Sequence, residues 1–319
     1  MIEGIFVDGL IFSIMVLGVL ISFRLMDLAD LTCDGSYATG AAAAAMCLKS
    51  GWGIGLSLLA AFAVGILAGI VTALIHTRLK VPGLLAGIIT MTMLYSVNIR
   101  ILGGANVPLL NINKFYTVVP SWFPFLGKVW ASLAGTAIVV LGIKVLYDLF
   151  FKTDLGVAIG AMGANEQVVI SQGMNPEILK VIGLGLSNGL IALSGGLLAH
   201  YQGFADANLG TGMVVQGLAA IMLGEFLFST NKLPLQSLRV MLGALIYKAL
   251  MYFGRKYGYL IGITPNDFKL LTGVLVIISL IIAKSRTSAS DAGARKKAMT
   301  ALSGAGRPSG TGAGEADNA

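Results

Sequence analysis

The sequence predicts an all-α fold, a polytopic transmembrane helical bundle with about nine spans (eight to ten). Three observations predict it. First, 56% of the 319 residues are hydrophobic and only 12% are charged, with a mean hydropathy of +0.85; that leaves too few polar side chains to cover a water-soluble globule of this size. Second, several apolar runs reach the roughly 20 residues that a helix needs to cross a bilayer. Third, the chain holds 42 glycines, and small residues let membrane helices approach closely where lipid gives no hydrophobic drive to association.

Taken in order, the run over 5–23 is long enough to span and follows no basic segment, which predicts a retained first helix rather than a cleaved signal peptide. Asp27, Asp30 and Asp34 then lead an alanine-rich helix over 36–48, with Asp34 or Ser36 as its cap. A helix faced with alanine and glycine belongs inside a bundle, packed on neighbours or lining a passage. Cys33 and Cys47 have no histidine or other cysteine near them, which supports neither a metal site nor a disulfide framework. The third span covers 54–75 and ends beside His76, Arg78 and Lys80, so His76 reads as an interfacial histidine. Pro82 and Gly83 open the fourth, to Ile101, where Asn98 and Arg100 are expected to snorkel into the interface. The aromatic cluster Phe115, Tyr116, Trp122, Phe123 and Phe125 suits an element lying among headgroups. The fifth span covers 129–151 and the sixth 178–200. The sixth carries Ser187, Asn188, Ser194, Gly195 and Gly196, polar and small residues that must face protein or water. A polar stretch free of Lys and Arg, FADANLGTG, leads into GLAAIMLGE, and 233–253 and 268–283 supply the last spans.

Between the fifth and sixth spans lies 152–180, the one long internal stretch that a bilayer would reject. It carries Asp154, Asn165, Glu166, Gln167, Gln172, Asn175 and Glu177. Residues 164–171 are expected to form a short helix stopped by Gly173 and Pro176. Held between two spans, such a helix is a docking knob rather than an enzyme site; the plain alternative is a polar loop.

The basic residues orient the chain. With the N-terminus outside, the inner segments hold Arg24, Arg78, Lys80, Lys152, Lys180, Lys232, Arg239 and the basic tail, against Lys49, Arg100, Lys114, Lys128, Arg255 and Lys256 outside. The excess places the C-terminus and 152–180 in the cytoplasm. Residues 1–284 form the membrane domain, with its docking segment at about 160–178, and 285–319 a disordered cytoplasmic tail of Gly, Ala and Ser.

No Gly-rich phosphate loop, nucleophile with a base, or metal-ligand cluster is present in the sequence, which argues against an enzyme and against a cofactor. Glu225, Asp148 and Lys144 lie near span ends, so an ion-coupled secondary transporter lacks its midplane carboxylate or histidine. A structural scaffold would have no use for Asn188 and Ser194 inside a span. A transport path with no energy source of its own, together with a docking segment, points to energy delivered by a separate subunit.

The run Gly163-Ala164-Asn165-Glu166-Gln167-Val168-Val169, with Ser171, Gly173 and Met174, resembles the coupling segment of permease subunits of bacterial ABC importers of the branched-chain amino acid and ribose type. LADLTCDGSYATGAA, LSGGLLAHYQG and GLAAIMLGE extend the likeness over most of the chain, which looks most like tryptophan and tyrosine transport system permeases. The resemblance implies a multi-pass protein of the bacterial plasma (inner) membrane. It implies four partnerships: an ATP-binding cassette subunit that binds the ATP, an extracytoplasmic substrate-binding protein, a second permease copy (homodimer or heterodimer), and the bilayer. Nucleic acid has no place in it. The solute is expected to be an aromatic or branched-chain amino acid, with a sugar-type permease as the alternative. Gly163, Asn165, Glu166, Ser171 and Gly173 are the expected coupling residues. Val168 and Val169 depart from the small residues usual there and put the helix's close packing in question. Asp34, Ser36, Asn188 and Ser194 are candidates for the translocation path, weighed against core packing.

Overall fold

A computed structural model describes residues 2–110, 112, 114–122, 125, 127–227 and 233–258, with further helical positions at 270, 273, 274 and 277. The predicted span over 268–283 and the tail over 285–319 otherwise lie outside the described residues, as does Phe123.

Helix α1 (Ile2–Val19) widens into a π-helical turn over Leu20–Leu25. Next come α2 (Thr32–Lys49), α3 (Ile54–Arg78) and α4 (Gly83–Leu102), then strand β1 (Asn106–Pro108), α5 (Phe115–Trp122) and α6 (Lys128–Phe150). Two short helices, α7 (Asp154–Ala164) and α8 (Glu166–Ser171), precede α9 (Pro176–Gln202). Strand β2 (Phe204–Asp206), α10 (Met213–Leu227) and α11 (Leu233–Gly258) complete the order. The strands, which the apolar pattern did not predict, form a small antiparallel ribbon pairing Asn106 with Asp206 and Pro108 with Phe204.

Among the described residues, five segments are long and apolar enough to cross a membrane: Gly4–Leu25, α3, α4, α6 and α9. Their burial sorts them into layers. In α1 and α9, 78% of the apolar window is buried, against 33%, 28% and 22% in α3, α4 and α6. α1, α9 and the alanine-rich α2 are therefore the inner helices, and α3, α4 and α6 stand in the outer ring. The alanine and glycine of α2 explain its place, since a Cβ on Gly40 would run into the Ala192 backbone and one on Gly195 into that of Tyr37. The two helices touch along their backbones, which lipid-facing residues do not require.

Two expectations are corrected here. α2 begins at Thr32, and neither Asp34 nor Ser36 caps it; both lie inside its first turns. The Asp30 carboxylate accepts the Thr32 N–H at 2.8 Å, so the helix starts two residues after that aspartate. Asn98 does not snorkel: it is 1% exposed. It falls on the row Ala86, Thr90, Leu94, Asn98 and Leu102, four residues apart, that α4 turns into the bundle.

At one end of the bundle, His200 closes a chain of bonds. The Phe115 N–H donates to Nδ1 at 3.2 Å, which leaves Nε2–H to donate to Ser57 Oγ at 3.0 Å, and that hydroxyl donates to the Ile54 carbonyl. The bonds seat α5 and the start of α3 on the end of α9. His76 lies near the opposite end, its Nδ1–H on the Val81 carbonyl at 2.7 Å.

Candidate functional site

At the His76 end, α7 and α8 fold back as a knob. Asn165 is extended (φ −163°, ψ 111°), and its side-chain oxygen accepts the Gln167 N–H at 3.0 Å, capping α8. The helix thus starts at Glu166, two residues later than the sequence suggests. Ser171 Oγ donates to the Val168 carbonyl at 2.8 Å, and Gly173 turns left-handed (φ +77°), with its N–H on the Ile170 carbonyl. Asn175 then caps α9 through the Glu177 N–H, with Pro176 at its first position. The bonds that shape the corner are thus made within a few residues. The outward face is left free: Glu166, Gln167, Val168, Ile170 and Ser171 are exposed.

Val169 alone enters the core, fully buried, so the valine pair fits by turning one side chain in and one out. Gly163 lies against the Leu25 carbonyl at the π-helical end of α1, where a Cβ would collide with the backbone. Lys180 of α9 holds Glu166 at 3.2 Å. A cavity of about 380 Å³ opens beside this pair, bordered by Asp27, His76 and Gly83.

The path candidates lie deeper. Ser36 donates to Asn188 Oδ1 at 2.7 Å, and Asn188 Nδ2 donates to Asp30 Oδ2 at 2.7 Å and to the Leu184 carbonyl at 3.0 Å. The Asn188 amide bridges a hydroxyl and a carboxylate, which fixes its orientation. Asp30 is wholly buried, and Thr32 and Thr72 share a hydrogen bond at 2.7 Å beside it. Ser194 donates to the Ile11 carbonyl and Ser187 to that of Gly18, tying α9 to α1. Asp34 acts elsewhere: its two oxygens accept the N–H groups of Gly212 and Val214 at 2.8 and 2.9 Å, capping α10. α10 has only 15 residues, and its irregular lead-in packs on Asp34 at Gly210. Backbone without helix is tolerated inside a bundle only where protein supplies partners, as Asp34 does. The structure thus brings Ser36 and Asn188 together and leaves Asp34 and Ser194 in separate contacts.

Sequence reasoning missed Asp30 as a buried partner of Asn188. Its signal is the Asp-x-Thr spacing, which places an acceptor two residues before a helix start. Among the described residues no group of three or more His, Cys, Asp or Glu is placed to hold a metal.

A model of the family described as "Branched-chain amino acid transport system / permease component" matches residues 1–280. The chain belongs to this family. It is a permease-type transport subunit and not an enzyme, and its helices are those of a multi-pass membrane protein. It is 37% identical to the tyrosine transport system permease protein of Clostridioides difficile, over 87% of this chain and 89% of that protein. It is 32% identical to the uncharacterized protein RP368 of Rickettsia prowazekii, over 87% and 95% respectively. The autoinducer 2 import system permease protein LsrC of Salmonella typhimurium is more distant, 28% identical over 56% of this chain and 49% of that protein. No solved structure matches.

Proposed function

We propose that this permease subunit forms the translocation path of an ATP-driven importer for an amino acid, aromatic or branched-chain. An extracytoplasmic binding protein delivers the solute, and ATP is bound and hydrolysed on a cytoplasmic cassette subunit. The tyrosine-system relative supports the choice of an amino acid. The N-terminus is outside, and the α8 end faces the cytoplasm of a bacterium, across its inner membrane.

One observation carries this reading: α8 turns Glu166, Gln167 and Ser171 outward beside Val168 and Ile170 while Asn165 caps its first turn locally, and Lys180 fastens it to α9, whose apolar window is 78% buried. A groove in the ATP-binding subunit receives Glu166 and Ser171, while Gly163, Asn165 and Gly173 set the shape of the corner. A push on α8 passes to α9 and, through Asn188, to Asp30 and Ser36 of the inner layer. Asp34, Ser36, Asn188 and Ser194 frame the wall against which the path forms.

Purification of the tagged chain in mild detergent, with and without ATP, tests this. Recovery of a nucleotide-binding subunit, lost when Gly173 is replaced by leucine, is the expected result. Recovery of the chain alone, still moving solute in vesicles energised only by an ion gradient, would overturn it.

A further inference from the structure

At the end of the bundle remote from α8, the start of α1, the end of α9 and the C-terminal part of α11 enclose a cavity of about 500 Å³. Deepest in it are Lys248 and Asp8, paired at 3.1 Å with side chains only 12% and 27% exposed. Tyr201 and Tyr252 are half-buried along its walls, and Gln202, Arg255 and Lys256 are exposed at its rim. Asp8 comes six residues into α1 and Lys248 ten before the end of α11, roughly 9 and 15 Å along the two helices. The charges therefore lie within the bundle and not at its surface.

The Lys248 ammonium also stands over the Phe12 ring, 4.5 Å from its centroid, and that ring stacks on Tyr247 at 5.7 Å. Phe12 and Tyr247 are fully buried behind it, so the lysine is fixed in place. An apolar pair would fasten α1 to α11 at less desolvation cost, and charges at this depth, open to a cavity, point to a ligand. Among the described lining residues, Lys248, Arg255 and Lys256 stand against the one carboxylate of Asp8. A simple anion would be drawn to the rim and repelled by Asp8 within; a simple cation would meet the reverse. A ligand with both charges on neighbouring groups satisfies both, its carboxylate on Lys248 and Arg255 and its ammonium on Asp8.

Resting on the importer reading, we propose that this cavity binds the solute as a zwitterionic α-amino acid at the outer face of the subunit. The zwitterion opens the Asp8–Lys248 pair and gives each charge a new partner, and its side chain lies against Tyr201 and Tyr252, whose rings offer apolar faces.

Equilibrium binding of L-tyrosine and of L-leucine to the full chain in mild detergent, without the binding protein, tests this. Saturable binding of at least one is expected. Analogues lacking one charge should compete at least about tenfold more weakly, because each leaves a charged partner unmet; they are tyramine and 3-(4-hydroxyphenyl)propionate for tyrosine, and isopentylamine and 4-methylpentanoate for leucine. Asp8→Asn should weaken the amino acid but not its acid analogue. Arg255→Gln, at the exposed rim, should weaken the amino acid but not its amine, and reads the same site if the buried variant fails to fold. A loss of fold would instead weaken every ligand together. Saturable binding of neither amino acid, an acid analogue that competes as well as the amino acid, or binding unchanged in both variants would overturn the proposal. Co-purification of the ATP-binding subunit, measured on the same preparation, separates failure of this site from failure of the importer reading.

Discussion

The α8 knob and the α2–α9 interior use the same residue types to opposite ends. Asn165 and Asn188 both orient an amide, and Ser171 and Ser36 both donate a hydroxyl. In the knob the partners are backbone groups within three residues, and the carboxylate of Glu166 remains half exposed. In the interior the partners are side chains 152 and 158 residues away in sequence. Local satisfaction leaves a surface free to bind, whereas distant satisfaction welds helices together. Substitutions in the interior should therefore damage stability, and those in the knob should damage coupling at little cost to the fold.

The largest effect is expected at Gly40. Gly40→Leu drives a side chain into the Ala192 backbone, which cannot yield, and should cost about 3 kcal/mol or more; loss of monodisperse protein on size exclusion checks it. Gly142→Leu on α6, where a Cβ meets open space, should leave that profile unchanged. Asn188→Leu comes next. It strands the buried oxygens of Asp30 and Ser36 and should lower stability by about 2 kcal/mol, read from the thermal midpoint in detergent.

Gly173→Leu sharpens the comparison from the other side. Its φ of +77° strains any side chain, but nothing lies within reach of a new Cβ, so the cost should stay at about 1 kcal/mol. Solute uptake should nevertheless fall sharply while membrane insertion holds, and unchanged uptake would remove Gly173 from the coupling role. Glu166→Gln is the mildest. It breaks a half-exposed ion pair with Lys180 worth about 0.5 kcal/mol. Its effect on partner recovery should shrink as salt rises, since screening already weakens the pair in the parent chain.

Much of this was legible in the chain. The apolar runs placed α3 and α9 to within a few residues, because bilayer thickness imposes a length. Gly173 and Pro176 marked the end of α8 because backbone sterics act locally. The distant pairings were not legible. Nothing around Asp34 announces that its carboxylate caps a helix 178 residues away, and nothing around Asp30 announces Asn188. A capping aspartate looks the same whichever helix it serves. The two faces of α4 were hidden for another reason: both rows carry polar residues, Thr90 and Asn98 on one and Thr92 and Ser96 on the other. Polarity alone therefore could not tell the packed side from the free one.

The contrast between free knob and welded interior is tested most directly by site-directed crosslinking in native membranes, with Cys33 and Cys47 replaced by alanine. Ser171→Cys should form an adduct with the ATP-binding subunit, whereas Ser36→Cys should form none. An adduct from Ser50→Cys, at the opposite end of the bundle, with none from Ser171→Cys, would contradict the account.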